Sequence, residues 1–350
     1  MNAAGRPGLV VYQNSGGVDA IDEYSRRLVG ALVADGTVVD YVADGMAAAR
    51  RRPVPAWVLL QYNPFSYGRW GISAALLRDV AAVRRRRNTT IAVCVHEPWT
   101  HVHDWRSVLM AGAQRAHLQV LLGLADVVLG VTEHLARRLG RRAVHVPVGS
   151  NVTPVDLSRR EARSQAGVTG ELVVALFGTA HPSRALDHAE AAIAVLAGRR
   201  GARAVRVLNL GHGAPALKVP PGVAVDMPGR IEARELSLRL RASDIVLLPF
   251  VNGVSTRRTT LMAALAHALP VASVHGSDTD SVLVAHPEAI SLTPAGEPAA
   301  YAQAVAELVD DRDRLCAVGL AGRRLYEAHF DWPVLAHEVT SALQRVTRTP

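Results

Sequence analysis

Residues 242–273 read ASDIVLLPFVNGVSTRRTTLMAALAHALPVAS, and the order of residue types within them decides the fold. Ile245, Val246, Leu247 and Leu248 form a short unbroken apolar run, the kind of strand buried on both faces of a parallel sheet. Pro249 ends it, Asn252 and Gly253 mark a polar loop, and Thr259 and Thr260 open a helix. A strand, a loop and a helix start in that order put unpaired backbone N–H groups and the positive end of a helix dipole beyond the strand. Arg257 and Arg258 stand just before the helix, with planar fork-shaped charges suited to phosphate. Two consecutive phosphates, as in a nucleoside diphosphate, fit such a place.

The same alternation extends in both directions. Before this stretch, strands are expected at 9–12, 38–42, 57–61, 91–95, 127–131 and 143–147, with helices at 21–32, 105–124 and 133–139. A second series of strands falls at 172–177, 205–210, 223–227, 245–249, 271–274 and, weakly, 289–292; its helices fall at 185–197, 233–241, 259–267 and 301–308. Parallel neighbours need crossover helices, so the expectation is two doubly wound, Rossmann-like α/β domains. The polar segment 151–160 with Pro154 reads as the linker between them, and 320–346 as mostly helix. In such folds a ligand binds outside the carboxyl ends of the strands, where the loops of both domains are expected to face one cleft.

The stretch 242–273 resembles the donor-site signature of GT-B glycosyltransferases, in particular the large retaining family-four group. Its usual form is aD-x-x-x-x-P, a Gly-containing loop, then E-A-x-A-x-G-x-P-V-V. Ala242, Asp244, Pro249, Gly253, Ala264, Ala266, Pro270 and Val271 sit in matching places. The family's two glutamates are replaced here by Ser255 and Ala263. Gly178, Gly211, Gly229, Pro249, Gly253 and Pro270 occur in the family's order. The resemblance implies an acceptor-side domain over 1–152, a nucleotide-sugar domain over 153–328, and a terminal helix over 329–350 that crosses back onto the first. It also implies sugar transfer from a nucleoside-diphosphate sugar as co-substrate, with retention of configuration, no cofactor and no metal.

Gly16 and Gly17 occupy the first strand-to-helix turn, where a backbone without Cβ atoms can approach a ligand; the same pair equally serves a tight turn with no ligand. They resemble the family's glycine-rich start. His96 and Glu97 follow the strand at 91–95, where an imidazole could bond a sugar hydroxyl or move a proton, or make a structural hydrogen bond. The resemblance implies catalytic roles for both. Gly16, Gly17, Gly178, Arg184, Gly229, Arg230, Ser255, Arg257, Arg258, Thr259 and Thr260 are expected to hold the donor and its phosphates, with Arg184 in the place of the family's lysine. Asp278 and Asp280 form D-x-D, but late in the chain and after a strand of the second series, which reads as structural.

The chain of 350 residues is 49% hydrophobic, enough for two cores. Its net charge of +8 comes from arginine, with Lys218 the single lysine, and no aromatic interleaving accompanies the runs at 50–52 and 84–87. Solvated helix ends and turns therefore account for them better than a nucleic-acid surface. Cys94 and Cys316 are far apart in sequence, which points away from a disulfide framework and towards a reducing cytoplasm. His101 and His103 match no metal-ligand spacing. No apolar run reaches membrane-span length, so peripheral membrane contact is the most that is expected. The expected partners are a nucleotide-sugar donor and a small-molecule or lipid acceptor, in natural-product or cell-envelope synthesis. Two other classes stay open: a sugar-nucleotide epimerase or isomerase of the same fold, and a noncatalytic nucleotide-sugar- or nucleic-acid-binding protein.

Overall fold

The computed structural model describes residues 8–13, 20–43, 56–86, 88–100, 102–199 and 203–347. The chain divides into two units, one of Met1–Val148 with Trp332–Pro350 and one of Gly149–Asp331. The sequence placed these breaks a few residues away, at 152/153 and 328/329.

Unit 1 contains β1 (Gly8–Tyr12), α1 (Ala20–Ala34), β2 (Val38–Val42), β3 (Trp57–Tyr62), α2 (Ala74–Arg84), β4 (Thr90–Val95), α3 (Trp105–Leu124), β5 (Val127–Gly130), α4 (Glu133–Leu139) and β6 (Ala143–His145). Its strands form one parallel sheet in the order β2-β1-β3-β4-β5-β6. Every residue of β3 and β4 is buried, as continuous apolar runs between two helical layers require. The last helix, which becomes α12 once the elements below are counted, spans Trp332–Thr347 and packs on α1. Leu335, Ala336, Val339 and Leu343 are buried there, and the Trp332 ring lies 5.4 Å from Tyr24.

Unit 2 contains α5 (Arg159–Gln165), β7 (Leu172–Phe177), α6 (Leu186–Ala197), β8 (Val205–Leu210), β9 (Ala224–Asp226), α7 (Ala233–Ala242), β10 (Ile245–Leu248), α8 (Thr259–Ala266), β11 (Val271–His275), α9 (Ser281–Val284), β12 (Ser291–Pro294), α10 (Pro298–Asp310) and α11 (Arg312–His329). The strand order is β12-β11-β10-β7-β8-β9, parallel throughout. α6 and α10 close one face around Ile193, Leu196, Val205, Leu247, Tyr301 and Val305. Full burial of such side chains stabilises by about 1.5–3 kcal/mol each.

Four helical segments differ from the sequence reading, among them the four-residue α9, which forms where no helix was expected. Residues 159–165, partly assigned to the linker, form α5 because Ser158 and Glu161 cap it reciprocally. α2 forms where no helix was expected, capped by the Ser73 hydroxyl accepting from Leu76 N–H at 3.1 Å. α11 starts at Arg312 rather than near 320, since Asp311 caps it by accepting from Arg314 N–H at 2.9 Å. Arg84 ends α2, as expected for that arginine run. Among the described residues no helix is long and apolar enough to cross a membrane.

α11 lies on α8 through two glycines. A Cβ on Gly319 would come within 2.4 Å of the Ala268 carbonyl oxygen, and one on Gly322 within 2.9 Å of Leu265 Cδ2. Glycine is here a packing residue, and its low helix propensity is the cost of a close helix crossing. Gly112, on the exposed face of α3, has nothing within 4 Å of that position. Gly→Ala should therefore have opposite signs at the two sites. Gly112→Ala is expected to stabilise by about 0.5–1 kcal/mol through helix propensity, and Gly319→Ala to destabilise by about 1–3 kcal/mol through overpacking. Denaturant midpoints of the two variants check this; a stabilised Gly319→Ala protein would refute the packing argument.

Candidate functional site

The strand order of unit 2 reverses between β7 and β10, and their carboxyl ends open onto the crevice that an open α/β sheet offers a ligand. β7 runs into Gly178, whose φ of +126° suits glycine. A Cβ on Gly178 would lie 3.3 Å from Thr260 Cγ2, so this turn sits against the start of α8. A Cβ on Gly211, at the end of β8, would meet the Gly178 carbonyl oxygen at 2.7 Å, so the two backbones can be apposed only without side chains.

The chain after Gly178 then pairs with the chain after β10. Arg184 and Phe250 form an antiparallel bridge, with Ala185 N–H donating to Pro249 O at 3.1 Å and Val251 N–H to Ser183 O at 2.8 Å. This short ladder carries Arg184 to the crevice. Its Nη1 donates to Gly178 O at 2.9 Å, and among the described residues no carboxylate pairs with it. Burial lowers its pKa, the direction expected for a cation removed from water without a counter-charge. A guanidinium keeps its charge even so.

Arg258 enters the same place from the other side. Its guanidinium lies over the Phe250 ring at 4.2 Å and donates to Ser183 Oγ at 3.1 Å. Arg258 is also the N-cap residue of α8, and no side chain caps that helix. The N-terminal N–H groups at Thr259 and Thr260 therefore keep the character of an anion site. Ser255 and Thr256 are buried just before the helix, and the Ser255 carbonyl accepts from Arg258 N–H at 3.2 Å. Arg257 is half-buried, and among the described residues it has no ion pair. The loop is fixed from beneath by Asp280, 2% exposed, which accepts from Thr256 N–H and Thr256 Oγ1 at 2.7 Å each. Asp280 of the D-x-D motif thus has a structural role, as read from the sequence, and the structure shows that role to be holding this loop.

Thus Gly178, Arg184, Arg258 and Thr260 come together. Gly229, with φ +72° and open space around it, and exposed Arg230 lie in the loop after β9, and no described hydrogen bond, ion pair or ring contact joins them to the cluster. Phe250 and Ser183 belong to the cluster and were not singled out from sequence. Phe250 follows Pro249 directly, which was the one available signal.

In unit 1, Gly16 and Gly17 lie outside the described residues, as does His101. His96 is described and is enclosed, at 9% exposure. Its ring takes the Tyr24 ring edge-on at 4.9 Å, and Nε2 lies 2.8 Å from Gln61 Oε1. Burial pushes its pKa down to about 4, so the ring is neutral at physiological pH and donates through Nε2 to Gln61. Glu97 is exposed, and among the described residues no hydrogen bond or ion pair holds it. The segments that follow β3 and β4 expose Phe65, Trp70, Trp105 and Leu109, and Trp70 holds φ +67°, a strained value for a bulky residue.

No family model and no curated protein matches the sequence. Solved structures do match. Sucrose-phosphate synthase from Thermosynechococcus elongatus is similar with a TM-score of 0.69 at 15% identity, over 99% of this chain and 100% of that one. HepE from Anabaena, in complex with UDP-glucose, gives 0.62 at 13% identity over 97% and 100%. The UDP-forming α,α-trehalose-phosphate synthase from Burkholderia vietnamiensis gives 0.65 at 11% identity over 97% and 99%. With two six-stranded parallel sheets along its length, the chain has the GT-B fold of these glycosyltransferases.

Proposed function

We propose that the protein is a glycosyltransferase that moves a sugar from a nucleoside-diphosphate donor to a small-molecule or lipid acceptor. One observation carries this reading: at the switch point of unit 2, Arg184 is partly buried with no carboxylate beside it among the described residues, next to an uncapped helix start and a second, stacked arginine. Such a place awaits an anion. A pyrophosphate matches the two guanidinium groups and the N–H groups of α8 in charge and number. That HepE was solved with UDP-glucose supports the same reading.

As the bond from the sugar to the diphosphate breaks, negative charge grows on the leaving group. Cations and N–H dipoles fixed in advance stabilise that state more than the ground state. Arg184 is fixed by the ladder to Phe250, Arg258 by stacking and by Ser183, and α8 by the Asp280-anchored loop. Charge neutralisation on this pattern calls on no divalent ion. Retention of configuration is inferred from the resemblance of 242–273 to the retaining group. The exposed aromatic residues after β3 and β4, with Trp70 held in a strained conformation, support an acceptor with an apolar portion. Two free cysteines fit action in a reducing cytoplasm.

His96 enters this reading as a neutral hydrogen-bonding group. With a pKa near 4 it has little driving force as a base at neutral pH, and Glu97 is the better placed of the two to take a proton from an acceptor hydroxyl.

UDP at about 100 times its dissociation constant is expected to add about 2.7 kcal/mol of stability, read as a raised melting temperature. Arg184→Ala and Arg258→Ala should each weaken UDP at least tenfold. If UDP, GDP, dTDP and ADP all leave the parent's melting temperature unmoved, the donor reading fails. If both variants respond like the parent, the assignment of these arginines fails.

A second expectation concerns pH. His96 binds its proton less tightly folded than unfolded, so its stabilising effect is complete above pH 6.5 and is lost as pH falls from there to about 4. The slope approaches about 1.4 kcal/mol per pH unit in that window. His267, buried against Ser237 and also near 4, adds a parallel loss in unit 2. His96→Gln should flatten the melting profile of unit 1 between pH 6.5 and 4.5, and an unchanged slope would show that the buried imidazole does not titrate as described.

A further inference from the structure

At the opposite end of the unit 2 sheet a groove of about 960 Å³ is lined by Arg159, Arg160, Arg163, Arg203 and Arg312, with Asp244 and Asp310 as its two carboxylates. Asp244 precedes β10, so this groove lies about 17 Å along that strand from Pro249, at about 3.3 Å per residue. It is separate from the crevice that holds Arg184.

The charges in the groove do not balance. Asp244 is 6% exposed and meets three guanidinium groups, those of Arg159 at 2.5 Å, Arg163 at 3.0 Å and Arg203 at 3.7 Å. Its Oδ2 also accepts from Val173 N–H at 2.8 Å. Arg163 is locked further by donating to the carbonyls of Glu171 at 2.7 Å and Ala242 at 3.1 Å. Asp310 is taken by Arg199, which is not part of the lining. Among the described residues, Arg160 and Arg312 have no carboxylate at all. Glu171, the other nearby acid, folds back onto Thr169 and Gly170 N–H at 2.9 Å each and faces Arg206 at 3.7 Å. One buried carboxylate therefore organises three arginines while neutralising one charge, and two more arginines stand beside them with none.

Positive groups held around a concave surface favour a compact anion of high charge, since each fork can take two oxygens and several forks act on one molecule. The lining contains no aromatic residue on which a base could stack, which distinguishes this groove from a nucleotide pocket. Its volume lies within the range of small-molecule pockets.

We propose that this groove is a second anion site, selective for molecules with adjacent phosphate groups and indifferent to a nucleobase. The ligand is an inorganic oligophosphate or a small metabolite carrying neighbouring phosphates, which share the chemistry recognised. Titration calorimetry of the full chain with inorganic tripolyphosphate tests it. Tripolyphosphate is expected to bind at least tenfold tighter than orthophosphate, with affinity falling as salt rises. The double variant Arg160→Ala/Arg312→Ala should lose at least tenfold in affinity at this site, and Arg184→Ala should keep the binding that the double variant loses, whatever tripolyphosphate also enters the crevice of Arg184. Both substituted residues of the double variant are exposed and without ion pairs, so its melting temperature should match the parent's. Tripolyphosphate binding lost in Arg184→Ala and kept in the double variant would place the ligand in the donor crevice and overturn the proposal. Equal affinity for orthophosphate and tripolyphosphate would overturn it too. Phytate competing with tripolyphosphate would point to a metabolite source, and failure to compete to linear oligophosphate.

Discussion

A guanidinium that leaves water without a carboxylate must be fixed by something other than charge, and the candidate site of unit 2 depends on how Arg184 is fixed. The backbone does it. The segment after β7 and the segment after β10 form a two-residue antiparallel ladder across a sheet that is otherwise parallel, and that ladder carries Arg184 against the Gly178 carbonyl. Desolvation without a counter-charge is costly, which is the physical ground on which an anion is proposed here. Phe250 links the two arginines: its backbone pairs with Arg184 and its ring supports Arg258.

The glycines set how closely the elements of the crevice can approach. Gly178 and Gly211 bring the ends of β7 and β8 together, and Gly253 lets its loop meet the turn at Gly276, where a Cβ would fall 2.4 Å from Gly276 N. These contacts place the start of α8 at the carboxyl end of the sheet, with Asp280 anchoring the approach through Thr256. The helix start is left uncapped by any side chain at the point where two arginines converge. The order of residue types in 242–273 thus becomes a geometry of charge.

Much of this was legible from sequence, for identifiable reasons. The strands of both units show up as short apolar runs because both sheet faces are covered, and the break at Pro249 followed by Gly253 marks the crevice loop. Part of what was missed was local, since the Ser158–Glu161 capping box of α5, the Ser73 cap of α2 and the Asp311 cap of α11 are short sequence patterns; the rest depends on tertiary pairing. α5 is a short helix set by a capping box and by Arg159 and Arg163 reaching Asp244, and neither ion pair leaves a local pattern. Ser183 and Phe250 gain their roles from a bridge between segments more than sixty residues apart in sequence. His96 was legible as a residue at a strand end, but its burial beneath Tyr24, which changes its chemistry from proton carrier to neutral donor, is set by the packing of α1 on the sheet.

Asp244 shows how one motif residue serves an end of the sheet opposite to the one its motif suggests. It stands next to β10, whose far end opens onto the crevice that holds Arg184, yet its carboxylate faces the amino ends of the strands and gathers Arg159, Arg163 and Arg203 there. Removing one partner from a buried ion cluster leaves an uncompensated charge, which costs about 3–5 kcal/mol. The cluster's surplus of positive charge has the same physical basis as the unpaired Arg184: in both places cations are held by backbone and neighbours at a density that their own carboxylates do not balance. The two ends of β10 therefore present similar electrostatics with different surroundings. At the carboxyl end are a helix start and the Phe250 ring; at the amino end no aromatic residue is among the described residues that line the groove. That difference is why the ligands proposed for the two ends differ, a nucleotide at one and phosphate groups alone at the other.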